Sequence, residues 1–329
     1  MRRWIVPAAV VGGAAFWWWR ENAPVNVVGW WRGVPVLRTP EARFINLPGY
    51  PFAPHYIEID GLRMHYVDEG QGEVVLMLHG EPTWSYLYRK MIPLFVNAGY
   101  RALAPDLIGF GKSDKLGTRT PYTYQQHMDW LGAWVEALDL HNITLICQDW
   151  GSLLGLRMVG EQPERFARVV VANGMLPTGK EAPPPFLIWQ AFSQYAPVLP
   201  VGGIVQVGTA TTVPPEVLKA YSAPFPNERY KAAARAFPAL VPTTPDDPAA
   251  PANKKAWEGL RQFEKPFLTV FGAGDPIMRG ADRYFQKLVP GAQGQPHTIL
   301  DHAGHFIQED QGEELARAAL AFMQANPLR

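Results

Sequence analysis

The chain has a single cysteine, Cys147, among its 329 residues. One thiol cannot close an intramolecular disulfide or build a thiolate metal cluster, and it leaves the redox compartment open. An excess of charge of either sign is also missing. Lys plus Arg and Asp plus Glu both number 30, so the formal net charge is zero. With no basic surplus to neutralise phosphates, nucleic acid is not an expected partner. Nothing recurs at a period of roughly 20 to 50 residues, which excludes a solenoid or propeller. Long apolar runs are nearly absent as well. The one candidate, Trp4 to Trp19, would reach only about 24 Å as a helix at about 1.5 Å per residue, short of a bilayer core of about 30 Å.

That run still carries information. Arg2 and Arg3 precede it, Arg20 and Glu21 close it, and Trp17, Trp18 and Trp19 suit a membrane interface that Trp30 and Trp31 extend. No A-x-A cleavage pattern follows, so a retained anchor fits better than a removed signal peptide. Residues 1–36 are therefore read as an apolar extension that associates the chain with a membrane; the alternative is a frayed tail on a cytoplasmic protein. Setting it aside leaves about 290 residues, enough for one large α/β domain with an insertion.

From His55 the pattern becomes regular. His55 to Ile59 alternates, Asp60-Gly61 turns, and Leu62 to Val67 alternates back, which predicts a hairpin. Apolar runs of buried-strand length follow at Val74–Leu78, Arg101–Ala104, Ile143–Ile146, Val169–Ala172, Phe267–Phe271 and Thr298–Leu300. Helical patterns, such as Tyr124–Leu138 and Gly312–Ala325, separate most of them. Strands alternating with helices predict a mostly parallel sheet covered on both faces. The rhythm breaks across 175–262, a proline-rich stretch with helical segments at Phe186–Tyr195 and Pro215–Tyr221 and no strand pattern. This is read as a helical cap inserted between strands of a core formed by 37–174 and 263–329. It is expected over the C-terminal strand ends, where α/β folds bind ligands.

The chemistry concentrates in three places. Ile146-Cys147-Gln148-Asp149-Trp150-Gly151-Ser152 reads as strand, sharp turn and helix, like a G-x-S-x-G nucleophile elbow with a carboxylate in the serine slot. An aspartate at a helix N-terminus is stabilised as an anion; an ordinary N-cap is the rival reading. Asp275 follows the strand ending at Phe271, and His305 follows Asp301-His302-Ala303-Gly304 after the last strand. Nucleophile, acid, histidine is the chain order of this fold, so Asp149 is assigned as nucleophile, His305 as base and Asp275 as its partner. His302-x-x-His305 lacks a third ligand, and no metal or other cofactor is expected. After the strand at Val74–Leu78, Glu81 is placed to supply one oxyanion-hole amide, with Trp150 the other. Gly109-Phe110-Gly111-Lys112-Ser113 resembles the end of a phosphate loop, but Asp106 stands where its first glycine belongs, so a tight structural loop is expected.

A carboxylate is a weak acyl nucleophile but can displace a leaving group from sp³ carbon, forming an ester that water then hydrolyses. Haloalkanes and epoxides both suit this route. The sequence resembles class I haloalkane dehalogenases of the α/β-hydrolase superfamily from roughly Leu37 to the C-terminus, on His79-Gly80-Glu81-Pro82-Thr83-Trp84, Gln148-Asp149-Trp150-Gly151, Asp275-Pro276 and Ala303-Gly304-His305-Phe306. The resemblance implies an α/β-hydrolase fold, a halogenated aliphatic substrate, water and halide as the small-molecule partners, and two halide-holding tryptophans. It maps these onto Trp150 and Trp189, with Trp257 the weaker candidate for the second. A related subfamily keeps its acid after the strand ending near Ala172 and has Asn in place of Glu81. This chain has Asn173 at the first position and Glu at the second, which leaves Asp275 as the acid. The nearest rival is an epoxide hydrolase, with Tyr195, Tyr221 or Tyr230 activating the epoxide oxygen. A catalytically silent α/β-hydrolase-fold binding protein is the other.

Overall fold

The computed structural model describes residues 24–328. The expectation of a membrane anchor at residues 4–19 falls outside them, and no described helix is long and apolar enough to cross a membrane.

The first described element narrows the apolar extension. Strands β1 (Val27–Trp31) and β2 (Val34–Leu37) pair antiparallel across Arg32 and Gly33, both at positive φ. That is the backbone a two-residue hairpin turn needs. Trp31 turns inward, with its indole N–H donated to Asp60 Oδ2 at 3.2 Å and its ring edge-on to Trp130. It is therefore a core residue and corrects the interfacial reading of that tryptophan, whereas Trp30 remains 72% exposed.

The second hairpin is as expected. Asp60 and Gly61 both take positive φ between β3 (His55–Ile59) and β4 (Leu62–Glu69). The remaining strands are β5 (Val74–Leu78), β6 (Arg101–Pro105), the short β7 (Lys115–Leu116), β8 (Ile143–Cys147), β9 (Phe166–Val171), β10 (Phe267–Gly272) and β11 (Thr298–Leu300). Eight of them form one sheet in the order β11-β10-β9-β8-β5-β6-β4-β3; β7 extends the β1–β2 hairpin into a separate small sheet. The large sheet is parallel from β11 to β6 and antiparallel at the β6–β4–β3 edge. Its central strands are buried at every residue but Ala167, as continuous apolar runs require when helices cover both faces. The covering helices are α1 (Ile92–Asn97), α2 (Tyr124–Ala137) and α3 (Trp150–Glu161).

Between β9 and β10 the chain is helical: α4 (Pro184–Tyr195), α5 (Val201–Gly208), α6 (Pro215–Ser222), α7 (Ala232–Leu240) and α8 (Ala250–Leu260). Then α9 (Ala281–Leu288) and α10 (Ile307–Ala325) complete the core. A buried ion pair ties α6 to α10 and to the loop that carries Arg89. Arg89 donates in bidentate fashion to Glu309 of α10 at 2.7 and 2.8 Å, and the Tyr221 hydroxyl of α6 donates to the same carboxylate at 2.7 Å. Burial opposes the charge on Glu309, but Arg89 and Tyr221 hold its carboxyl below the ordinary range. Removing one partner leaves the other charge buried and unpaired. Glu309→Ala is thus expected to destabilise the fold by about 3 kcal/mol, measured as a lower urea midpoint; an unchanged midpoint would show the clamp to be dispensable.

Candidate active site

Strand β8 ends at Cys147, and the chain turns at Asp149, with φ 48° and ψ −125°, before α3 begins at Trp150. A positive φ in a residue other than glycine is strained, and close packing holds it. The Asp149 amide donates to Asn173 O at 3.1 Å, and the Ser152 hydroxyl donates to Asp149 O at 2.6 Å. Two glycines make room. A Cβ on Gly151 would sit 2.0 Å from Leu78 O, and one on Gly80 would sit 2.3 Å from Asp149 Oδ1. The Asp149 side chain makes no capping hydrogen bond to α3, so the rival reading as an N-cap does not apply.

The three residues singled out at three strand ends come together. Asp149 Oδ2 lies 3.5 Å from His305 Nε2, and His305 Nδ1 lies 2.9 Å from Asp275 Oδ2. Asp275 Oδ1 accepts the Ile277 and Met278 amides at 2.8 and 3.1 Å. Burial works against the Asp275 charge, yet His305 and these two amides hold its carboxyl below the usual range. Burial likewise opposes a charge on His305, but Asp275 and Asp149 outweigh it and push the imidazole up to about 10. The Glu81 amide donates to Asp149 Oδ1 at 2.7 Å, leaving Oδ2 as the oxygen nearer the imidazole. The Glu81 side chain is buried; desolvation and the neighbouring Asp149 charge push its carboxyl well above the usual range, although His305 pulls the other way.

Above these groups lies a cavity of about 560 Å³. Glu81, Asp149 and His305 stand on its wall among apolar residues from the 175–262 stretch, including Leu176, Phe186, Ile204 and Val241. Trp150 and Trp189 line it too. Trp150 is fixed by ring contacts to Phe237 at 4.3 Å and Tyr124 at 5.2 Å. Trp257 also reaches the cavity, but its indole N–H is donated to Leu176 O at 2.8 Å. The three tyrosines of the epoxide reading are elsewhere. Tyr195 is 84% exposed, Tyr221 is bonded to Glu309, and the Tyr230 hydroxyl accepts the Asn26 amide; none lines the cavity.

Two polar side chains at the site stand in stretches already named from the sequence, where no role was assigned to them. Asn173, in place of the alternative acid, donates to Gly304 O at 2.7 Å and His305 O at 3.1 Å while its Oδ1 accepts the Gly272 amide. Gln148 reaches His305 directly, as developed below. The Gly109–Ser113 loop wraps an internal anion: Asp106 accepts the Ser85 and Lys112 amides and pairs with His65 at 2.7 Å. A carboxylate of the chain itself thus occupies the loop. No group of His, Cys, Asp and Glu suited to a metal occurs among the described residues.

The α/β hydrolase fold family model matches residues 73–311. A haloalkane dehalogenase of Mycolicibacterium paratuberculosis is 56% identical over 298 residues, covering 88% of this chain and 99% of that protein. One from Psychrobacter cryohalolentis is 53% identical, at 89% and 99% coverage. The chain belongs to the haloalkane dehalogenases. The solved structure of the tetrameric haloalkane dehalogenase DpaA from Paraglaciecola agarilytica superposes with a TM-score of 0.82 at 40% identity, covering 87% of this enzyme and 98% of that chain. A more distant relative, a cis-3-alkyl-4-alkyloxetan-2-one decarboxylase of Xanthomonas campestris, is 31% identical over 304 residues. The elbow also makes a steric prediction for this dehalogenase. Gly80→Ala is expected to displace Asp149 and lower activity at least about 100-fold with melting little changed, and wild-type turnover would refute the close approach.

Proposed function

We propose that Asp149, His305 and Asp275 hydrolyse carbon–halogen bonds of haloalkanes through a covalent alkyl–aspartyl ester. The core is taken as 37–174 and 263–329, with 175–262 as the cap that closes the substrate cavity. The observation that carries the reading is Asp149 beneath an apolar cavity with two tryptophans on its wall. In the first step Asp149 Oδ2 forms a bond to the sp³ carbon as the carbon–halogen bond breaks. The leaving halide takes the electron pair and is held by the Trp150 and Trp189 indole N–H groups. Preorganised donors in a cavity that excludes water stabilise such a charge far better than solvent-exposed ones. In the second step water attacks Cγ of Asp149 and gives its proton to His305. The Glu81 and Trp150 amides hold the oxyanion on Oδ1; as the Cγ–Oδ2 bond breaks, His305 returns its proton to the departing oxygen to give the alcohol, and the carboxylic acid left at Asp149 loses its proton to solvent. Asp275 fixes the imidazole tautomer and balances the imidazolium charge.

Three features favour Trp189 over Trp257 and halide over epoxide. The Trp257 N–H is already committed to a carbonyl; Tyr195, Tyr221 and Tyr230 do not reach the cavity; and close relatives bear the dehalogenase name. The purified enzyme is expected to release bromide from a brominated alkane. Diol from an epoxide without any bromide would sink the reading. Asp149→Asn should abolish bromide release, and Trp189→Phe should lower it about 100-fold; an active Asp149→Asn would remove the nucleophile assignment.

We also infer membrane contact through residues 4–19. Pro24, the first described residue, lies beside the 175–262 helices, its carbonyl accepting Asn227 Nδ2. There, residues 182–215 carry no Asp, Glu, Lys, Arg or His, and Ile188 of α4 is 71% exposed. The full chain is expected in the membrane fraction and a chain lacking residues 1–23 outside it. Recovery of the full chain entirely in the supernatant would refute the anchor.

A further inference from the structure

Gln148, the residue before the nucleophile, is fully buried and spends its side chain on the catalytic histidine. Its Nε2 lies 3.1 Å from His305 O and 3.1 Å from His305 Nε2. A backbone carbonyl only accepts, so the atom facing it must be the NH₂ group. One of its two hydrogens meets the carbonyl, and the other is aimed at the imidazole nitrogen. A donor aimed at Nε2 is compatible only with a lone pair there. The Gln148 Oε1 atom, meanwhile, is buried with no hydrogen-bond partner among the described residues, so the amide is oriented for His305 at the expense of its own acceptor.

The surroundings make this contact consequential. Three carboxyl groups face the imidazole: Asp149 from the elbow, Asp275 from the turn after β10 and Glu81 from the turn after β5. The ionised ones favour the imidazolium. An imidazolium formed in the free enzyme would donate Nε2–H to Asp149 Oδ2, 3.5 Å away, and blunt the nucleophile before any substrate is attacked. It would also have no lone pair for the later water. After alkylation Asp149 is a neutral ester and that pull disappears, so the hazard belongs to the free enzyme.

We propose that Gln148 is a positioning residue whose amide, by donating to His305 Nε2, opposes protonation of that nitrogen in the free enzyme against the pull of Asp149 and Asp275. The inference rests on the reading of His305 as the base and adds how that base is kept available. It predicts a change in pH dependence rather than a uniform loss. Gln148→Met keeps length and removes the donor, so the acidic limb of the halide-release profile should move up by about one pH unit, one hydrogen bond's worth of preference for the neutral ring. Above that limb the rate should return to within about threefold of wild type, since the triad itself is intact. Gln148→Glu, which places an acceptor against Nε2, should move the limb further in the same direction. Loss of equal size at every pH, or a limb that stays in place in both variants, would overturn the proposal. The third measurement reads the ring directly: the ¹⁵N-detected titration midpoint of His305 in the free enzyme should lie about one pH unit higher in Gln148→Met than in wild type, and an unchanged midpoint would equally overturn the proposal. A wild-type enzyme that releases no halide would instead defeat the dehalogenase reading, which keeps the two failures apart.

Discussion

Asp149 sits in a backbone conformation that costs a residue with a side chain on the order of 1–3 kcal/mol, and its neighbours are arranged around keeping it there. Strand β8 delivers the chain, α3 carries it away, and the turn between them is short because Gly151 lets the helix start directly over Leu78 O. The Gly80 backbone lies against the carboxylate with no room for a methyl group. The Asn173 carbonyl holds the Asp149 amide, while the same residue's side chain ties down the loop that carries His305. Asp149 and His305 are thus held by one connected hydrogen-bond set, built where parallel strands end and where an α/β sheet presents its ligands.

The electrostatics follow from that geometry. Asp275 and Glu81 are both buried carboxyls within reach of His305, yet they are driven in opposite directions. Asp275 faces an imidazole and two amides; Glu81 faces the apolar cavity and another carboxylate, with one oxygen unpartnered. Splitting like groups by environment is how a single site holds charge in one place and withholds it in another. The helices between β9 and β10 contribute an apolar wall, which keeps the local dielectric low and makes each remaining N–H donor count for more. One of them, α6, is fastened to the core through the Arg89–Glu309–Tyr221 cluster. A second tie joins the end of α5 to the His305 loop, where Asp310 accepts the Ala210, Thr211 and Gly304 amides.

Much of this was legible in the chain itself. Alternation and short apolar runs placed the Asp60-Gly61 hairpin and the strands of the large sheet to within a few residues, because strand periodicity is a local property. The β1–β2 hairpin was not recovered. Trp30 and Trp31 read as an interfacial pair, and only packing against Trp130 shows that one of them faces the core. The elbow and the order Asp149, Asp275, His305 pointed to a carboxylate nucleophile, since a catalytic turn imposes its residue types on adjacent positions.

What the sequence by itself determined is therefore the chemistry: a carboxylate where a serine could stand, an acid and a base at later strand ends, and no thiol cluster or charge surplus to suggest another trade. Tertiary structure decided what surrounds that chemistry. It removed Tyr195, Tyr221 and Tyr230 from the cavity, committed the Trp257 N–H to a carbonyl, filled the Gly109–Ser113 loop with Asp106, and turned Gln148 and Asn173 toward the His305 loop. None of these follows from spacing, because each depends on which direction a side chain points after segments far apart in the chain have met. A motif fixes the residues that must be neighbours along the chain, and only the packed fold chooses the neighbours in space.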